Sequence, residues 1–115
     1  MSTSQAVLQH LPSLRRYARA LTGSQASGSA TPGPFTPQLG RDMILTLSGT
    51  WTGSVQLMRS VDGGTTKLPV TVGGTTWALF TANCNEPVWT SSESGATFYL
   101  AITVASGTVV YRLAQ

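Results

Sequence analysis

Four acidic side chains, one cysteine and one histidine are the residues of this chain best suited to catalytic chemistry. Glycoside hydrolysis needs two carboxyl groups that face each other across the scissile bond, and a cysteine nucleophile needs a nearby base. Cys84 is far in sequence from His10, and the carboxylates all fall in predicted turns or loops. These carboxylates are Asp42, Asp62, Glu86 and Glu93. The spacing therefore predicts that the protein is not an enzyme.

Metal, cofactor and membrane sites are not predicted either. The chain has no His/Cys cluster at zinc-ligand spacing and no acidic loop at calcium-ligand spacing. A single cysteine allows no intramolecular disulfide, and we expect Cys84 to be a half-buried small hydrophobe in a strand. There is no apolar run long enough for a transmembrane helix, and the N-terminal sequence lacks the order of a signal peptide. We expect a protein that is made in the cytoplasm without an encoded export signal.

The stretch SVDGGTT at residues 60–66 has the spacing S-x-D-x-G-x-T. It resembles the Asp-box hairpin found in sialidases, propellers and many unrelated β-proteins. In such a turn the Asp side chain accepts hydrogen bonds from backbone N–H groups, and a glycine supplies a positive φ angle. The motif usually closes with an aromatic residue that packs beneath the turn, where this chain has Lys67. We predict a structural turn without glycosidase activity. Its residues are Ser60, Asp62, Gly64 and Thr66.

Two groups of side chains are candidates for an interaction surface. The formal charge of +3 comes from residues 1–30, which hold three of the seven basic residues and none of the four acidic ones. Three positive charges can meet phosphates or an acidic protein surface, but no base-reading side chain accompanies them, so nucleic-acid binding is not predicted. Two of the three tryptophans fall in predicted loops and could stack on a sugar or contact a protein. The candidate surface is Arg15, Arg16, Arg19, Trp51 and Trp89.

The sequence predicts two units that position these side chains. Residues 7–21 carry apolar side chains at three- and four-residue spacing, which predicts a short basic amphipathic helix in an N-terminal unit of residues 1–23. Residues 24–37 are rich in Gly, Ser and Pro and predict a flexible linker. Residues 38–115 then predict a folded domain.

This domain is predicted to contain six or seven short strands. Two of them, at residues 43–47 and 54–60, flank a predicted turn, SGTWTG. Residues 97–105 alternate most clearly, and Ser106–Gly107 predicts a tight hairpin into residues 108–113. The spacing predicts an all-β fold, an antiparallel β-sandwich of the Ig-like or jelly-roll-like type. The predicted core residues are Val55, Leu57, Leu79, Phe98, Leu100, Ile102, Val104, Val110 and Leu113.

Residues 10–30, HLPSLRRYARALTGSQASGSA, resemble a known regulatory sequence. Through Leu11–Pro12 and residues 14–23, they are similar to the opening of region 2 in extracytoplasmic-function sigma factors. The same residues resemble the sigma-like domain of general-stress response regulators in alphaproteobacteria. The match stops where those proteins would continue with an acidic helix and the promoter-melting helices. The resemblance therefore implies a docking segment and carries over neither polymerase binding nor promoter recognition.

Residues 34–115 resemble a second family, the small β-sandwich proteins encoded among structural genes of tailed phages and prophages. The run LSGTWTGSVQLMRSVDGGTTKLPV at residues 47–70 carries most of this similarity. The resemblance implies a virion accessory role on head or tail, with no known chemistry. It also implies other virion proteins and further copies of this chain as partners, in the virion or in the bacterial cytoplasm during assembly.

Three hypotheses for function follow. The leading one is a non-enzymatic phage or prophage structural or accessory protein, a head decoration or tail-associated protein that acts through protein–protein contacts. The first alternative is a carbohydrate-binding or host-adhesion module, which predicts Trp51 or Trp89 exposed on a concave face. The second is a regulatory protein that docks through its sigma-like N-terminal helix on an anti-sigma factor or polymerase.

Overall fold

The computed structural model describes the backbone of residues 20–115 and the side chains from residue 24 onward. In this part of the chain there are nine β-strands and no helix. The strands are β1 Ala20–Ala26, β2 Ser29–Ala30, β3 Asp42–Ser60, β4 Leu68–Pro69, β5 Thr71–Val72, β6 Thr75–Thr76, β7 Leu79–Phe80, β8 Cys84–Thr90 and β9 Thr97–Ala114. The all-β prediction is confirmed for these residues. Residues 20–115 contain no helix long and apolar enough to cross a membrane.

The strands form one seven-stranded antiparallel sheet and a separate hairpin of β5 and β6. Strands β3 and β9 lie at its centre. On one side β9 pairs with β1 and β2, and on the other side β3 pairs with β4, β7 and β8. Because seven of the nine described strands belong to one sheet and the other two form only a short hairpin, the Ig-like or jelly-roll-like sandwich prediction is not supported.

The central pair is a ribbon of two long strands. Pairing runs from Ile44 opposite Ala114 to Ser60 opposite Thr97. The sequence predicted each strand as two shorter ones, separated by turns at residues 48–53 and 106–107, and this prediction is wrong. The glycines in those stretches bend the strands without reversing them. A straight strand of 19 residues would be about 60 Å long, whereas the longest extent of the fold is 45 Å, so the ribbon must bend.

A β-bulge at Ala105 shifts the register within this ribbon. Thr52 pairs with Ser106 and Gly53 with Val104, so Ala105 has no counterpart in β3. Side chains alternate between the two faces of a strand, so one extra residue exchanges the faces of β9 beyond that point. The bulge thus determines which side chains of the second half of β9 enter the core.

The bulge explains one incorrect core prediction. Before it, the even-numbered residues 98–104 face inward, and after it Val109, Tyr111 and Leu113 do so. Val110 was predicted to lie in the core by continuing the earlier alternation, but it is 39% exposed. The prediction of Val110 as a core residue is therefore wrong.

Inward-facing side chains from both ends of the ribbon belong to a single core cluster. The core predictions that the structure confirms are Val55, Leu57, Phe98, Leu100, Ile102, Val104 and Leu113. Leu79 is 52% exposed, and its prediction is wrong because it pairs with Gln56, on the face opposite Val55 and Leu57. Large side chains outside the list of predicted core residues that complete the core are Phe35, Met43, Leu45 and Leu47.

The region predicted as a flexible linker, residues 24–37, is paired with the central strand instead. Strand β2 pairs with Thr103 and Ile102. Phe35 and Phe98 exchange two backbone hydrogen bonds of 2.8 and 2.9 Å, and the Phe35 side chain is fully buried. Proline-rich sequence favours extended backbone, and here a buried aromatic anchors that backbone to the edge of β9. Of the predicted helix at residues 7–21, only residues 20 and 21 are described, and they belong to strand β1. Residues 7–19 lie outside the described residues.

Candidate functional site

The four residues of the S-x-D-x-G-x-T motif form one hydrogen-bonded turn after β3. The Ser60 hydroxyl donates to Asp62 Oδ1 at 2.8 Å and accepts the N–H of Gly64 at 2.8 Å. Asp62 Oδ1 also accepts the N–H of Thr66 at 2.8 Å. The Thr66 N–H, followed by the Ser60 hydroxyl, holds the pKa of Asp62 below its ordinary value. Every polar group of the motif is thus engaged in shaping the turn.

Tyr99 of β9 lies under this turn, where the motif normally has its own aromatic residue. Gly64 has a φ of +95°, and a Cβ on it would collide with the Tyr99 hydroxyl. Lys67 Nζ lies 4.8 Å from the centre of the Tyr99 ring and donates to the Gly64 carbonyl at 2.8 Å. The turn is therefore closed by a side chain from a distant strand together with the lysine that seemed to leave the motif incomplete.

A concave surface adjoins the turn, and we call it the Trp89 groove. It has a volume of about 560 Å³ and lies between the Asp62 turn, strand β4 with the start of β5, and the end of β8 with residues 91–93. Trp89 is half-buried and packs against the core cluster. Arg59 and Glu93 form an ion pair at this groove.

A second concave surface, the Trp77 groove, has a volume of about 390 Å³. Trp77 and Leu79 are each about half exposed, and Phe80 and Pro87 complete its apolar lining. The Trp77 indole N–H donates to the carbonyl of Val88 at 3.0 Å, which fixes the ring against β8. Sequence reasoning did not select Trp77, although the Gly73–Gly74 turn just before it indicated an exposed hairpin.

The structure separates the two tryptophans that were predicted to share a surface. Trp89 lines the groove named after it. Trp51 is half-buried against the core, and its indole N–H donates to Asn83 Oδ1 at 2.7 Å. Asn83 in turn donates to the carbonyl of Gly49 at 3.1 Å. Trp51 lines neither of the two grooves. The three arginines of the candidate surface, Arg15, Arg16 and Arg19, lie outside the described residues.

Two of the described carboxylates, Asp62 and Glu93, line the Trp89 groove, whereas Asp42 and Glu86 do not. Asp62 is engaged in its turn, Glu93 pairs with Arg59, and Asp42 accepts a hydrogen bond from the Thr90 hydroxyl. Glu86 lines the Trp77 groove. From residue 20 onward, no group of three or more His, Cys, Asp or Glu side chains is placed to hold a metal ion.

Cys84 is half-buried in β8, as predicted, with its Sγ 3.8 Å from the carbonyl oxygen of Leu45. Burial, with a smaller contribution from the charge of Glu86, raises the pKa of the thiol from 9.0 to about 11. Only the thiolate attacks electrophiles. A pKa this high makes Cys84 a structural rather than a nucleophilic residue.

The reactivity of Cys84 is therefore predicted to be low. At pH 8 the native protein should react with a disulfide reagent roughly tenfold more slowly than an ordinary thiol, because its small thiolate fraction outweighs its greater nucleophilicity. Stopped-flow absorbance of the reagent would measure the rate. The same protein in denaturant is the control and should react at the ordinary rate. A native rate equal to the denatured rate would contradict the burial of the thiol.

Taken together, the described residues define an all-β domain with concave surfaces suited to binding, joined to the sigma-like segment identified in the sequence. That segment matches the family described as the Sigma2 domain of PhyR, over residues 7–31. Over 30 residues the chain is 77% identical to the "Phyllosphere-induced regulator PhyR" of Methylorubrum extorquens. The aligned stretch is 26% of this chain and only 11% of the length of that relative. No solved structure matches the chain.

These matches confirm the resemblance of residues 10–30 to sigma-like stress response regulators. They correct the leading hypothesis, because they connect the chain with a PhyR-type regulator and not with a phage structural protein. The expectation of a capsid decoration or tail accessory protein is overturned by this finding, and the resemblance of residues 34–115 to phage β-sandwich proteins is not shown. The matched segment also includes all of β1 and all of β2, so part of it belongs to the described sheet.

Proposed function

We propose that this protein is a non-enzymatic regulatory binding protein whose residues 7–31 dock on an anti-sigma factor that recognises PhyR-type sequences. The observation that carries this proposal is the 77% identity with PhyR over 30 residues. At that identity most side chains that a partner would contact are the same. That relative is named as a regulator, which supports the same class of function for this segment.

The matched segment pairs with the sheet, which supports the proposal that the β-domain holds the docking segment. Strand β1 pairs with β9 from Ala20 opposite Ala114 to Ala26 opposite Val109. Two further residues, Ser29 and Ala30, pair with β9 nearer its beginning. The segment is thus joined to the central strand of the fold at two places. The described part of the docking sequence is thus held by the folded domain.

The distribution of charge supports a partner with an acidic surface. Residues 31–115 have four basic and four acidic side chains, so the net charge of +3 belongs to the N-terminal segment. Charges of one sign on a short segment steer association with an oppositely charged partner and make its rate depend on salt. We therefore assign the electrostatic part of docking to Arg15, Arg16 and Arg19.

This proposal predicts a loss of affinity when the three arginines of the segment are changed to glutamine together. Binding of the full chain to an anti-sigma factor of the alphaproteobacterial general stress response would be measured by titration calorimetry at two salt concentrations. We expect Arg15→Gln/Arg16→Gln/Arg19→Gln to bind at least about tenfold more weakly, with a smaller dependence on salt, because three steering charges are lost.

The matched control is Arg41→Gln/Lys67→Gln/Arg112→Gln, which removes three basic residues from the β-domain. Each triple variant leaves four basic and four acidic residues, so both have a formal charge of zero instead of +3. The control is expected to bind within about twofold of the unchanged chain, because surface charges away from an interface contribute little. Equal weakening by both variants, or no binding by the unchanged chain, would contradict the proposal.

A further inference from the structure

We infer that the Trp89 groove is a binding site for a neutral saccharide. This inference is independent of docking through residues 7–31, because it rests on residues of β3, β4 and β8 and the loops that follow β3 and β8. A volume of about 560 Å³ lies within the range of roughly 300–1,000 Å³ that is usual for small-molecule sites. The site is built from two separate parts of the chain that the long strand β3 brings together.

Part of the groove lining is apolar. Trp89 is held by its packing against the core, so its ring is a rigid surface with little entropy left to lose on binding. Leu68, at the groove, is 62% exposed, and Val61 is 58% exposed. Large apolar side chains exposed side by side around a concavity are a feature of binding sites. A ligand with an apolar face would remove them from water.

The groove lining also carries hydrogen-bonding groups. Glu93 and Arg59 form their ion pair with side chains that are 57% and 34% exposed, so both can contact a ligand without burying an isolated charge. Hydroxyl groups of Ser92 and Thr71 also line the groove. Planar carboxylate and guanidinium groups bind two neighbouring donors or acceptors at once, which suits adjacent hydroxyls on a sugar ring.

The charges of the lining favour a neutral ligand over an anion. Arg59 is already neutralised by Glu93, and Asp62 adds a further negative charge at the same groove. A phosphate or carboxylate ligand would meet two carboxylates around one paired cation, which is repulsive at short distance. A purely apolar ligand would leave the polar groups of the lining desolvated and unpaired. A pyranose has a C–H face for the tryptophan and a rim of hydroxyls for the polar groups, so it satisfies both.

The test is a screen of the full chain on an array of printed oligosaccharides, followed by titration calorimetry with the strongest hit. Affinities of lone sugar sites of this size are expected at about the millimolar level, or −4 kcal/mol. Trp89→Ala should weaken binding at least about tenfold. Because Trp89 also packs on the core, a second variant, Ser92→Tyr, fills the groove from an exposed position and should abolish binding while the melting temperature is kept.

The matched control is Trp77→Ala, which removes an exposed tryptophan from the other groove and should change affinity by no more than about twofold. The inference is overturned if no sugar binds at tens of millimolar, if a charged ligand or a peptide binds the groove in preference to sugars, or if Ser92→Tyr leaves binding unchanged. The same variants should bind the anti-sigma factor normally, which separates failure of this inference from failure of the proposed function.

Discussion

Replacement of Leu100 by aspartate is expected to unfold the β-domain. Leu100 is fully buried in the first part of β9, opposite the equally buried Leu57 of β3. A carboxylate at this position would lie within the apolar core cluster, and removing one charge from water costs several kcal/mol. Small domains are stable by only about 5–15 kcal/mol. Thermal melting followed by circular dichroism should therefore show no cooperative transition.

The control for this variant is Thr103→Asp, on the same strand. Thr103 is exposed and faces away from the core, so the added charge stays in water. Its free energy of unfolding should fall by less than about 1 kcal/mol. A soluble Leu100→Asp protein that melts cooperatively would show that the inward register of residues 98–104 is not the one described.

Alanine at Gly107 or Gly53 is expected to have the next largest effect. Gly107 has a φ of +81° and Gly53 a φ of +138°, and a Cβ on either would collide with a backbone carbonyl oxygen of the opposing strand. Those oxygens belong to Thr50 and Thr103 and cannot move away without disturbing the ladder of the central ribbon. Backbone strain of about 1–3 kcal/mol and steric overlap of about 1–3 kcal/mol add to a loss of about 2–6 kcal/mol in the free energy of unfolding.

Urea denaturation would measure this loss, with Gly73→Ala as the matched control. Gly73 has a φ of +61°, but a Cβ on it would have no heavy atom within 4 Å. Gly73→Ala therefore reports the backbone strain alone, about 1–2 kcal/mol. Equal destabilisation of all three variants would contradict the prediction, because it would mean that steric overlap between β3 and β9 adds nothing to the loss in the free energy of unfolding.

The part of the fold that the sequence predicted best is which alternate side chains of each strand face the core. Val55 and Leu57, and the even residues 98–104, alternate in the sequence and enter the core as expected. The alternation of apolar and polar residues along one strand is enough to predict its buried face, because neighbouring side chains of a strand point to opposite faces. The continuation past Ala105 was not predictable in the same way, since a bulge is defined by the partner strand and leaves no local signal.

The bends were mistaken for turns for a related reason. Gly49, Gly53 and Gly107 lie among small polar residues, a composition that is typical of chain reversals. A glycine with positive φ serves equally well to bend a strand, and only pairing with a distant strand decides between the two outcomes. The same limit applies to residues 24–37, where pairing with β9 overrides a composition that indicates a flexible linker.

Local sequence patterns predicted only part of the candidate sites, because some of the residues come from distant parts of the chain. The S-x-D-x-G-x-T spacing indicates the turn, whereas Tyr99, which lies beneath it, comes from another strand. The Trp89 groove combines residues from either side of the β5–β6 hairpin, so its shape depends on tertiary structure. The sequence alone indicated Trp89 as an interaction residue and could not distinguish its surroundings from those of Trp51, which lies in neither groove.

The position of β9 in the chain has a consequence for biosynthesis. This strand pairs with β1, β2 and β3, yet it is translated after all of them. No other described strand can bridge the two flanks of the sheet. Strands β1 and β2 must therefore wait for β9 before they can pair, and folding is dominated by contacts distant in sequence, which form slowly.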